Sequence, residues 1–549
     1  MSPLEDDDKA EGSKTREGAN DEKSKEEEEK AETEEDYIAR VYGSGRFEPA
    51  EENTGLIRRF SRQLSSEFDR RRRASLKGNL PQTYSGWTVF LSTISAVVLR
   101  YELGLQKSLT RPPAVYGQVK EGPLQEIYEE MTKAETSILR RNIQPSLFVG
   151  TRGVMSSTAA YLLGGPADSD LHLKFREMIQ MPLDGAMIAV DWELPFLEEN
   201  SATDQERKQE ILQGKIKQPV VIILHGMNND ASFGYVKSMA RTMVERGWVA
   251  ASMNMRGCGR VDLTTPRCYN GAYTGDIRGV VQSIVGRLSE DSSVFLIGNS
   301  LGANLVTKYL GEEGLSGSLP RAVAGGIALG NPLAMNSSRI SPIWSSVLAS
   351  GAKKGILENW STLKHVSDAT TKRAIWNALT AATLKQFDEA LAPVFARNNR
   401  VYPFDFSAGF ENADDYGSDA ASYKVLPFVP VPLLTMAATD DMIVYHPSRS
   451  RLSFCLSNPN AMFVETVCGG HLGWHESPPD KGNWGFASSW ADAASADFIE
   501  ATLKARRKQR SNDPNFSASE FHTIPGNTIH TAGKEGFTEL PYQPPRSRL

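Results

Sequence analysis

The chain has 549 residues, of which 40% are hydrophobic and 23% charged, a composition that excludes a collagen-like or wholly disordered protein and allows one large core. Its net charge of −6 arises in residues 1–36, which hold sixteen acidic and six basic side chains, so no basic domain remains that would predict a nucleic-acid partner. The four cysteines, Cys258, Cys268, Cys455 and Cys468, show neither a CxxC pair nor metal-ligand spacing, which argues against a disulfide framework and a zinc site.

The N-terminal region combines a charged tail with a candidate membrane segment. Residues 1–77, acidic and then basic, contain few large apolar side chains and are predicted to be disordered, because they cannot bury enough surface to offset the entropy of ordering. The uncharged stretch 78–99 follows, and its apolar part, 87–99, is shorter than the roughly 20 residues that span a bilayer. Two interpretations stay open for residues 78–100. A single-pass anchor predicts a membrane-associated protein, whereas a hydrophobic helix that packs on the catalytic domain predicts a cytoplasmic one.

The pattern changes from irregular to strongly periodic along the chain. Residues 101–185 mix helical and irregular stretches and are predicted to form an N-terminal extension that packs on the core. From about residue 186, short apolar runs alternate with helical stretches: VVIIL (220–224), WVAASMNM (248–255), VFLIG (294–298), AVAGGIALG (322–330), VPLLTMAA (431–438) and AMFVETV (461–467). Strands that are apolar on both faces and alternate with helices predict a mostly parallel sheet flanked by helices.

We therefore predict an α/β domain over residues 186–505, with a helical cap inserted over about 331–430. The cap is rich in aromatic residues, and its tryptophans either build an acyl-chain pocket or pack within an ordinary helical cap: Trp344, Trp360 and Trp376. Residues 506–549 turn basic and then rich in Pro and Asn, so they are predicted to form a second disordered tail.

The sharpest chemical signal is a serine at a strand-to-helix turn. The run VFLIG (294–298) predicts a strand, the sequence Gly298-Asn299-Ser300-Leu301-Gly302 follows it, and a helical pattern comes next. A GxSxG turn in this context is typical of a nucleophile elbow, in which the glycines leave room for the neighbouring strand and helix. Ser300 is therefore the predicted nucleophile.

The segment after the first strong strand is the candidate source of an oxyanion hole. His225-Gly226-Met227 ends the VVIIL strand upstream of the elbow, where such folds place the first donor. We predict that the backbone amides of Met227 and Leu301 form the hole. The interval from His225 to Asp230 also spells HxxxxD, a spacing associated with acyltransferases, but the oxyanion loop already accounts for this histidine.

The base and the acid are expected after the elbow, because α/β folds with a nucleophile elbow carry their catalytic residues in the chain order serine, acid, histidine. His471 follows a predicted strand and a Gly-Gly pair and is the predicted general base, with His475 as the alternative. Two adjacent acids stand on the loop after the preceding strand. Asp441 fits the common Asp-x-x-Val pattern better and is the predicted acid that orients the histidine, while Asp440 stays open.

These motifs, taken together, resemble the type-4 branch of the α/β-hydrolase superfamily over roughly residues 180–505. The matching stretches occur in the correct order: VVIILHGMNND, ASMNMRGCGRVDLTTPRCYNGAYTGDIRGVV, LIGNSLGANLVTKYLGEEG, LKQFDEAL, YKVLPFVPVPLLTMAATDD and GGHLGW. The resemblance implies hydrolysis of acylglycerols, phospholipids or medium-chain esters, and it places residues 254–259 beside the site. Some animal members carry an N-terminal membrane anchor. The chain departs from the branch at Met442, where a proline is frequent, and in its charged tails.

The sequence therefore predicts a serine hydrolase, of the lipase, esterase or phospholipase kind, that cleaves carboxylic esters through an acyl-enzyme on Ser300. The expected partner is a small-molecule ester or lipid, and neither a cofactor nor a metal is implied. Two alternatives stay open. One is an acyltransferase that uses the same acyl-enzyme, and the other is a receptor or scaffold that keeps the hydrolase fold without turnover.

Overall fold

The computed structural model describes residues 86–162, 173–195, 204–214, 216–397, 409–444, 452, 455–477 and 489–512. The predicted tail over 1–77 lies outside these residues, and so does 513–549, the greater part of the second predicted tail. The remainder of that second tail is helical, because the last helix of the protein runs as far as Asn512.

The expected membrane segment belongs to a longer helix, α1 (Gly86–Leu109), while 78–85 lie outside the described residues. The chain divides into two compact units, Met1–Val97 and Val98–Leu549, and the division falls within α1. Beyond the apolar stretch this helix carries Arg100, Glu102 and Lys107. Within the described part of the chain, no helix is both long and apolar enough to cross a bilayer.

The second unit is built on a nine-stranded sheet. Its strands are β1 (Ala114–Tyr116), β2 (Leu173–Gln180), β3 (Met187–Leu194), β4 (Val220–Leu224), β5 (Val249–Met253), β6 (Val294–Asn299), β7 (Val323–Leu329), β8 (Leu433–Ala438) and β9 (Ala461–Thr466), in the order β1-β9-β8-β7-β6-β4-β5-β3-β2. The six strands β5-β4-β6-β7-β8-β9 are parallel. Antiparallel pairs close both edges, β1 against β9 and β2 against β3 against β5.

The central parallel strands come from the six apolar runs of the sequence, and the predicted fold class is confirmed. The sheet also contains β1 and β2, which precede residue 186, the expected start of the domain. These strands escape a search for continuous apolar runs, because β2 alternates half-buried and exposed residues and β1 has only three residues. Such patterns are typical of edge strands, which have one face or one side in water.

Helices cover both faces of the sheet and connect its strands. They are α2 (Gln125–Met131), α3 (Gly153–Leu162), α4 (Asp204–Gln213), α5 (Gly234–Glu245), α6 (Gly275–Val285), α7 (Leu301–Ser316), α8 (Pro342–Glu358), α9 (Trp360–Leu363), α10 (Ala369–Thr380), α11 (Leu384–Leu391), α12 (Ala413–Ala420) and α13 (Trp490–Asn512). Strand β4 divides its side chains between two cores with the period of two that strand geometry imposes. Val221 and Ile223 pack with α2, α5 and α13, whereas Ile222 and Leu224 pack with α6 and α7.

The insertion between β7 and β8, the predicted cap, contains helices α8 to α12. Its helices share an apolar cluster, which includes Ile356, Leu363, Ile375, Leu384 and Phe387 and extends to Leu263 and Ala272 outside the insertion. Asp368 and Thr383 cap the N-termini of α10 and α11, since each side chain accepts a hydrogen bond from a backbone amide in the first helical turn. The cap therefore has both an apolar cluster and local signals that fix where its helices begin.

Candidate active site

The elbow serine stands between β6 and α7, at the carboxyl edge of the sheet. Ser300 has φ 53° and ψ −115°, a conformation that costs a non-glycine residue free energy and that clusters at functional sites. A Cβ at Gly298 would lie 2.2 Å from the Gly302 carbonyl oxygen, and a Cβ at Gly302 would lie 2.5 Å from the His225 carbonyl oxygen. Only glycines fit at these two positions, so the motif allows the sharp turn that exposes the serine.

The structure brings together the serine, the histidine and one of the two acids. His471 Nε2 lies 2.8 Å from Ser300 Oγ, and His471 Nδ1 lies 2.8 Å from Asp441 Oδ2. The other carboxylate oxygen of Asp441 accepts hydrogen bonds from the amides of Ile443 and Val444. Although burial opposes ionisation, the charge and hydrogen bond of His471 and these two amides lower the pKa of Asp441 below its usual value.

The neighbouring acid has a different environment. Asp440 Oδ1 accepts a hydrogen bond of 2.7 Å from the amide of Gly470, in the loop that presents His471. Burial raises the pKa of Asp440 to about 6. The structure therefore places Asp441 against the histidine and Asp440 against the backbone of the histidine loop. Burial lowers the pKa of the alternative base, His475, to about 4, although its ring donates a hydrogen bond to the backbone carbonyl of Ser156.

Helix α3 supports the histidine loop from the N-terminal extension. Ser157 Oγ accepts a hydrogen bond of 2.6 Å from the His471 amide and donates one of 2.7 Å to the Gly153 carbonyl. A Cβ at Gly153 would lie 2.1 Å from the Asp440 carbonyl oxygen, so the first turn of α3 packs directly on the acid loop. Sequence reasoning assigned no chemistry to residues 101–185 and missed Ser157. Its only local signal is a small-residue helix, which carries no functional meaning by itself.

The loop after β4 lies against the serine on the side of the proposed oxyanion hole. A Cβ at Gly226 would lie 3.2 Å from the Ser300 Cβ. The hydroxyl of Tyr235 accepts hydrogen bonds from the Gly226 amide (2.9 Å) and from Asn229 Nδ2 (2.7 Å). These two bonds join the loop after β4 to helix α5. Leu301 is the first residue of α7, and the first amides of a helix have no acceptor within their own helix. The Leu301 amide therefore comes from the first turn of α7, and the Met227 amide comes from the loop after β4.

His225 has a structural environment rather than a catalytic one. The fully buried ring accepts a hydrogen bond of 3.0 Å at Nε2 from the Met255 amide, and burial lowers the pKa of the ring to about 4. Asp230, the other end of the HxxxxD spacing, accepts hydrogen bonds from the amide and hydroxyl of Ser232. The two residues of this motif therefore serve different local contacts, and His225 joins the oxyanion loop to the 254–259 segment.

Two cavities lie next to each other at the nucleophile elbow, and Ser300 lines the first of them. This first cavity, here called the histidine-side cavity, is also lined by residues 332–337, by Arg339 and Ile340 and by Ile443 and Val444. The second, here called the cap cavity, has a volume of about 510 Å³ and lies between residues 227–233, residues 256–263 and the cap helices α8 and α11. Met227, Leu301, Leu384, Asp388 and Tyr416 line both. The two cavities therefore share a wall that includes both predicted oxyanion residues.

The cap tryptophans do not form these cavities. Neither lining contains Trp344, Trp360 or Trp376, and Trp376 is 65% exposed. Of the two interpretations of these residues, the one that makes them the walls of an acyl-chain pocket is therefore wrong. The apolar wall comes instead from α11 and from residues next to it, Leu384, Phe387, Leu391 and Phe395.

Asp388, on α11, is a buried carboxyl group at the wall that the two cavities share. Burial raises its pKa from 3.8 to about 7, although a hydrogen bond from the Ser337 side chain opposes this. This acid lies in LKQFDEAL, one of the stretches that resemble the type-4 branch, and the sequence predicted no role for it. Asp492, on α13, is a second such group: burial raises its pKa to about 7, against a hydrogen bond from Ser238 Oγ.

We expect the Asp388→Asn variant to lose part of the pH dependence of the unfolding free energy. Between about pH 4 and pH 7 the folded protein holds a proton on Asp388 that the unfolded chain has released, so stability falls as pH rises through this range. The slope is at most about 1.4 kcal/mol per pH unit. The variant should therefore gain stability relative to wild type between pH 4 and pH 8, by about 2–4 kcal/mol, measured by urea unfolding at each pH.

Asp492→Asn is the matched second variant, because it removes a buried carboxyl group of similar pKa from a different helix. We expect the same direction of change, and an approximately additive effect in the double variant. If the unfolding free energies of wild type and Asp388→Asn change in parallel from pH 4 to pH 8, the raised pKa of Asp388 is contradicted.

Comparison with known proteins gives consistent relatives. A family model described as serine aminopeptidase, S33 (Hydrolase_4) matches residues 215–378. The embryogenesis-associated protein EMB8 of Picea glauca is 27% identical over 78% of this chain and 86% of its own length. Monoacylglycerol lipase of Saccharomyces cerevisiae is 31% identical over 47% of this chain, which spans about half (55%) of the lipase. Phospholipase ABHD3 of Mus musculus is 27% identical over 60% of this chain and 73% of its own length.

Proposed function

Since the chain belongs to the α/β-hydrolase superfamily and is a carboxylic ester hydrolase, we propose that it cleaves lipid or medium-chain esters through an acyl-enzyme on Ser300. The observation that carries this proposal is the pair of 2.8 Å contacts that link Ser300 Oγ to His471 and His471 to Asp441. The names of the relatives support the substrate class, since they include a monoacylglycerol lipase, a phospholipase and a medium-chain fatty acid ethyl ester synthase/esterase.

The first half of the reaction forms the acyl-enzyme. His471 Nε2 takes the proton from Ser300 Oγ while the oxygen bonds to the ester carbonyl carbon, and the carbonyl oxygen becomes an oxyanion. The amides of Met227 and Leu301 donate hydrogen bonds to this oxyanion. The bond from carbon to the alcohol oxygen then breaks, and protonated His471 gives its proton to that oxygen, so a neutral alcohol leaves.

The second half regenerates the serine. His471 takes a proton from a water molecule, whose oxygen bonds to the acyl carbon, and the Ser300 ester bond breaks as the proton returns to Oγ. Asp441 keeps the proton of the resting histidine on Nδ1 and stabilises the imidazolium that forms in each half. Its lowered pKa keeps the carboxylate ionised at neutral pH, as this role requires.

Labelling with a fluorophosphonate tests the proposal directly, because this reagent phosphonylates an activated serine. We expect wild type to be labelled at a single site, and mass spectrometry of the digested protein to find the adduct on the peptide that contains Ser300. A folded wild type that stays unlabelled would exclude an activated serine and would favour a scaffold role. Product analysis of an ester substrate with and without added alcohol then separates free acid, the hydrolysis product, from a transferred ester.

A further inference from the structure

We propose that the cap cavity receives the acyl chain of the ester, that the alcohol lies in the histidine-side cavity, and that Gly355 on α8 sets the accepted chain length. This inference rests on the proposed acyl-enzyme at Ser300 and adds to it the direction of the substrate. It depends on three observations: the position of the histidine, the lining of the two cavities, and the small side chains on one face of α8.

The position of His471 decides which side the alcohol occupies. The histidine must deliver a proton to the leaving oxygen, so the alcohol lies beside it when the acyl-enzyme forms. The histidine-side cavity includes Ile443 and Val444, whose amides bond the carboxylate of Asp441. The described lining of the cap cavity ends at Tyr416 and includes no residue of the acid or histidine loops. The acyl part therefore points away from the histidine, into the cap cavity.

The shared wall makes this arrangement continuous. The predicted oxyanion donors, Met227 and Leu301, line both cavities. An ester whose carbonyl group is held there can place its alcohol in one cavity and its acyl chain in the other. One ester can thus occupy both cavities while its carbon stands next to Ser300.

The lining of the cap cavity suits a hydrocarbon chain. Six buried apolar side chains line it, namely Leu263, Ile356, Leu384, Phe387, Leu391 and Phe395, together with the buried polar side chains of Asn229, Arg256, Asn270, Asn359 and Asp388. Exposed charged residues surround its outer end, namely Arg260, Asp262, Lys354 and Glu358. A volume of about 510 Å³ lies within the range of roughly 300–1,000 Å³ that is usual for small-molecule sites. An acyl chain in this cavity therefore contacts six buried apolar side chains, while the exposed charged groups lie at its outer end.

Three small residues of helix α8 line this cavity, Gly351, Ala352 and Gly355, beside the larger side chains of Lys354, Ile356 and Glu358. A Cβ at Gly351 would lie 2.4 Å from Asn228 Nδ2, so packing explains that glycine. A Cβ at Gly355 would meet no atom within 4 Å, and glycine is unfavourable inside a helix compared with alanine. Neither packing nor helix propensity explains Gly355, whereas a need for open volume does.

The test is the Gly355→Leu variant, assayed with p-nitrophenyl esters from acetate to dodecanoate. We expect kcat/KM for dodecanoate to fall about tenfold or more, because each methylene that cannot be buried costs roughly fourfold in binding. The value for acetate should change less than about twofold, since a two-carbon acyl group does not reach the helix. For the octanoate esters of methanol and of glycerol, Gly355→Leu should lower kcat/KM by the same factor, because the alcohol lies in the other cavity.

Two further variants are controls for the added side chain. Gly104→Leu places leucine on α1 at another helical glycine whose Cβ would meet no atom within 4 Å, and we expect it to behave as wild type. Gly355→Ala should give a smaller loss on dodecanoate than Gly355→Leu. Equal losses on acetate and dodecanoate, no loss on either, or losses that follow the size of the alcohol would each overturn the inference.

A binding measurement separates this inference from the proposed function. In a Ser300→Ala background, which does not depend on turnover, we expect dodecanoate to raise the Tm and Gly355→Leu to abolish that rise. If dodecanoate raises the Tm and Gly355→Leu abolishes the rise, but wild type hydrolyses no ester, the proposed function alone is refuted. If wild type hydrolyses esters but Gly355→Leu leaves the rise in Tm unchanged, the acyl-chain assignment alone is refuted.

Discussion

The Ser300→Ala variant is expected to lose ester hydrolysis by about 10⁵- to 10⁶-fold in kcat, the loss that follows removal of the nucleophile in well-measured serine hydrolases. Alanine has no atom that can bond to the carbonyl carbon, so the acyl-enzyme cannot form. His471 and the amides of Met227 and Leu301 remain, and they leave only the residual catalysis that binding and oxyanion stabilisation provide. Steady-state hydrolysis of p-nitrophenyl butyrate by the purified variant measures this loss.

Stability serves as the check that the loss is chemical. The variant keeps the backbone of the elbow, including φ 53°, so its unfolding free energy should stay within about 1 kcal/mol of wild type. Ser108→Ala is the matched control, because the hydroxyl of this exposed serine at the end of α1 donates to the Leu105 carbonyl oxygen of its own helix, and it should keep full activity. A Ser300→Ala protein within tenfold of wild-type kcat would rule out the acyl-enzyme at this residue.

The second large effect is expected at the acid, where two neighbouring residues give opposite predictions. Asp441→Asn should lower kcat by about 10⁴-fold, as the equivalent change does in a well-studied triad, because an amide can hold the histidine in the wrong tautomer. Asp440→Asn should lower kcat by less than about tenfold, because an asparagine oxygen can still accept the hydrogen bond from the Gly470 amide. Both variants are compared in one assay under saturating substrate.

The pair of substitutions is its own control, since each removes one negative charge from adjacent positions of the same loop. Similar losses for the two would mean that the loop as a whole, rather than a hydrogen bond to His471, supports the reaction. A larger loss for Asp440→Asn would transfer the orienting role to that residue.

Much of the fold could be predicted because its signals are local. The six central strands are continuous apolar runs, and strands buried on both faces by helices need such runs. The strands β1, β2 and β3 were not predicted as part of the sheet. Strand β2 alternates half-buried and exposed residues and β1 is very short, so their place depends on antiparallel pairing with partners far along the chain, such as β1 with β9.

Helix α1 shows the limit of a composition argument. The apolar stretch that ends at Leu99 continues directly into a helical segment with Arg100 and Glu102. Glu102 is buried, accepts a hydrogen bond from Thr151 and forms an ion pair with Arg152. Because the partners of Glu102 lie about fifty positions away in the sequence, no local pattern predicts that this charged residue is buried.

The sequence by itself determined the candidate nucleophile, the order of serine, acid and histidine, and the parallel sheet that carries them. Each of these depends on neighbouring residues: a glycine two positions before and after Ser300, or an apolar run of five to nine residues. Only the tertiary structure decided which acid meets His471, because Asp440 and Asp441 are adjacent, and the Gly470 amide of the histidine loop bonds Asp440 whereas the Ile443 and Val444 amides bond Asp441. It also decided that Ser157 supports the histidine and that α11, rather than the cap tryptophans, lines the cavities. These contacts join positions up to 314 residues apart, and no local pattern encodes such pairs.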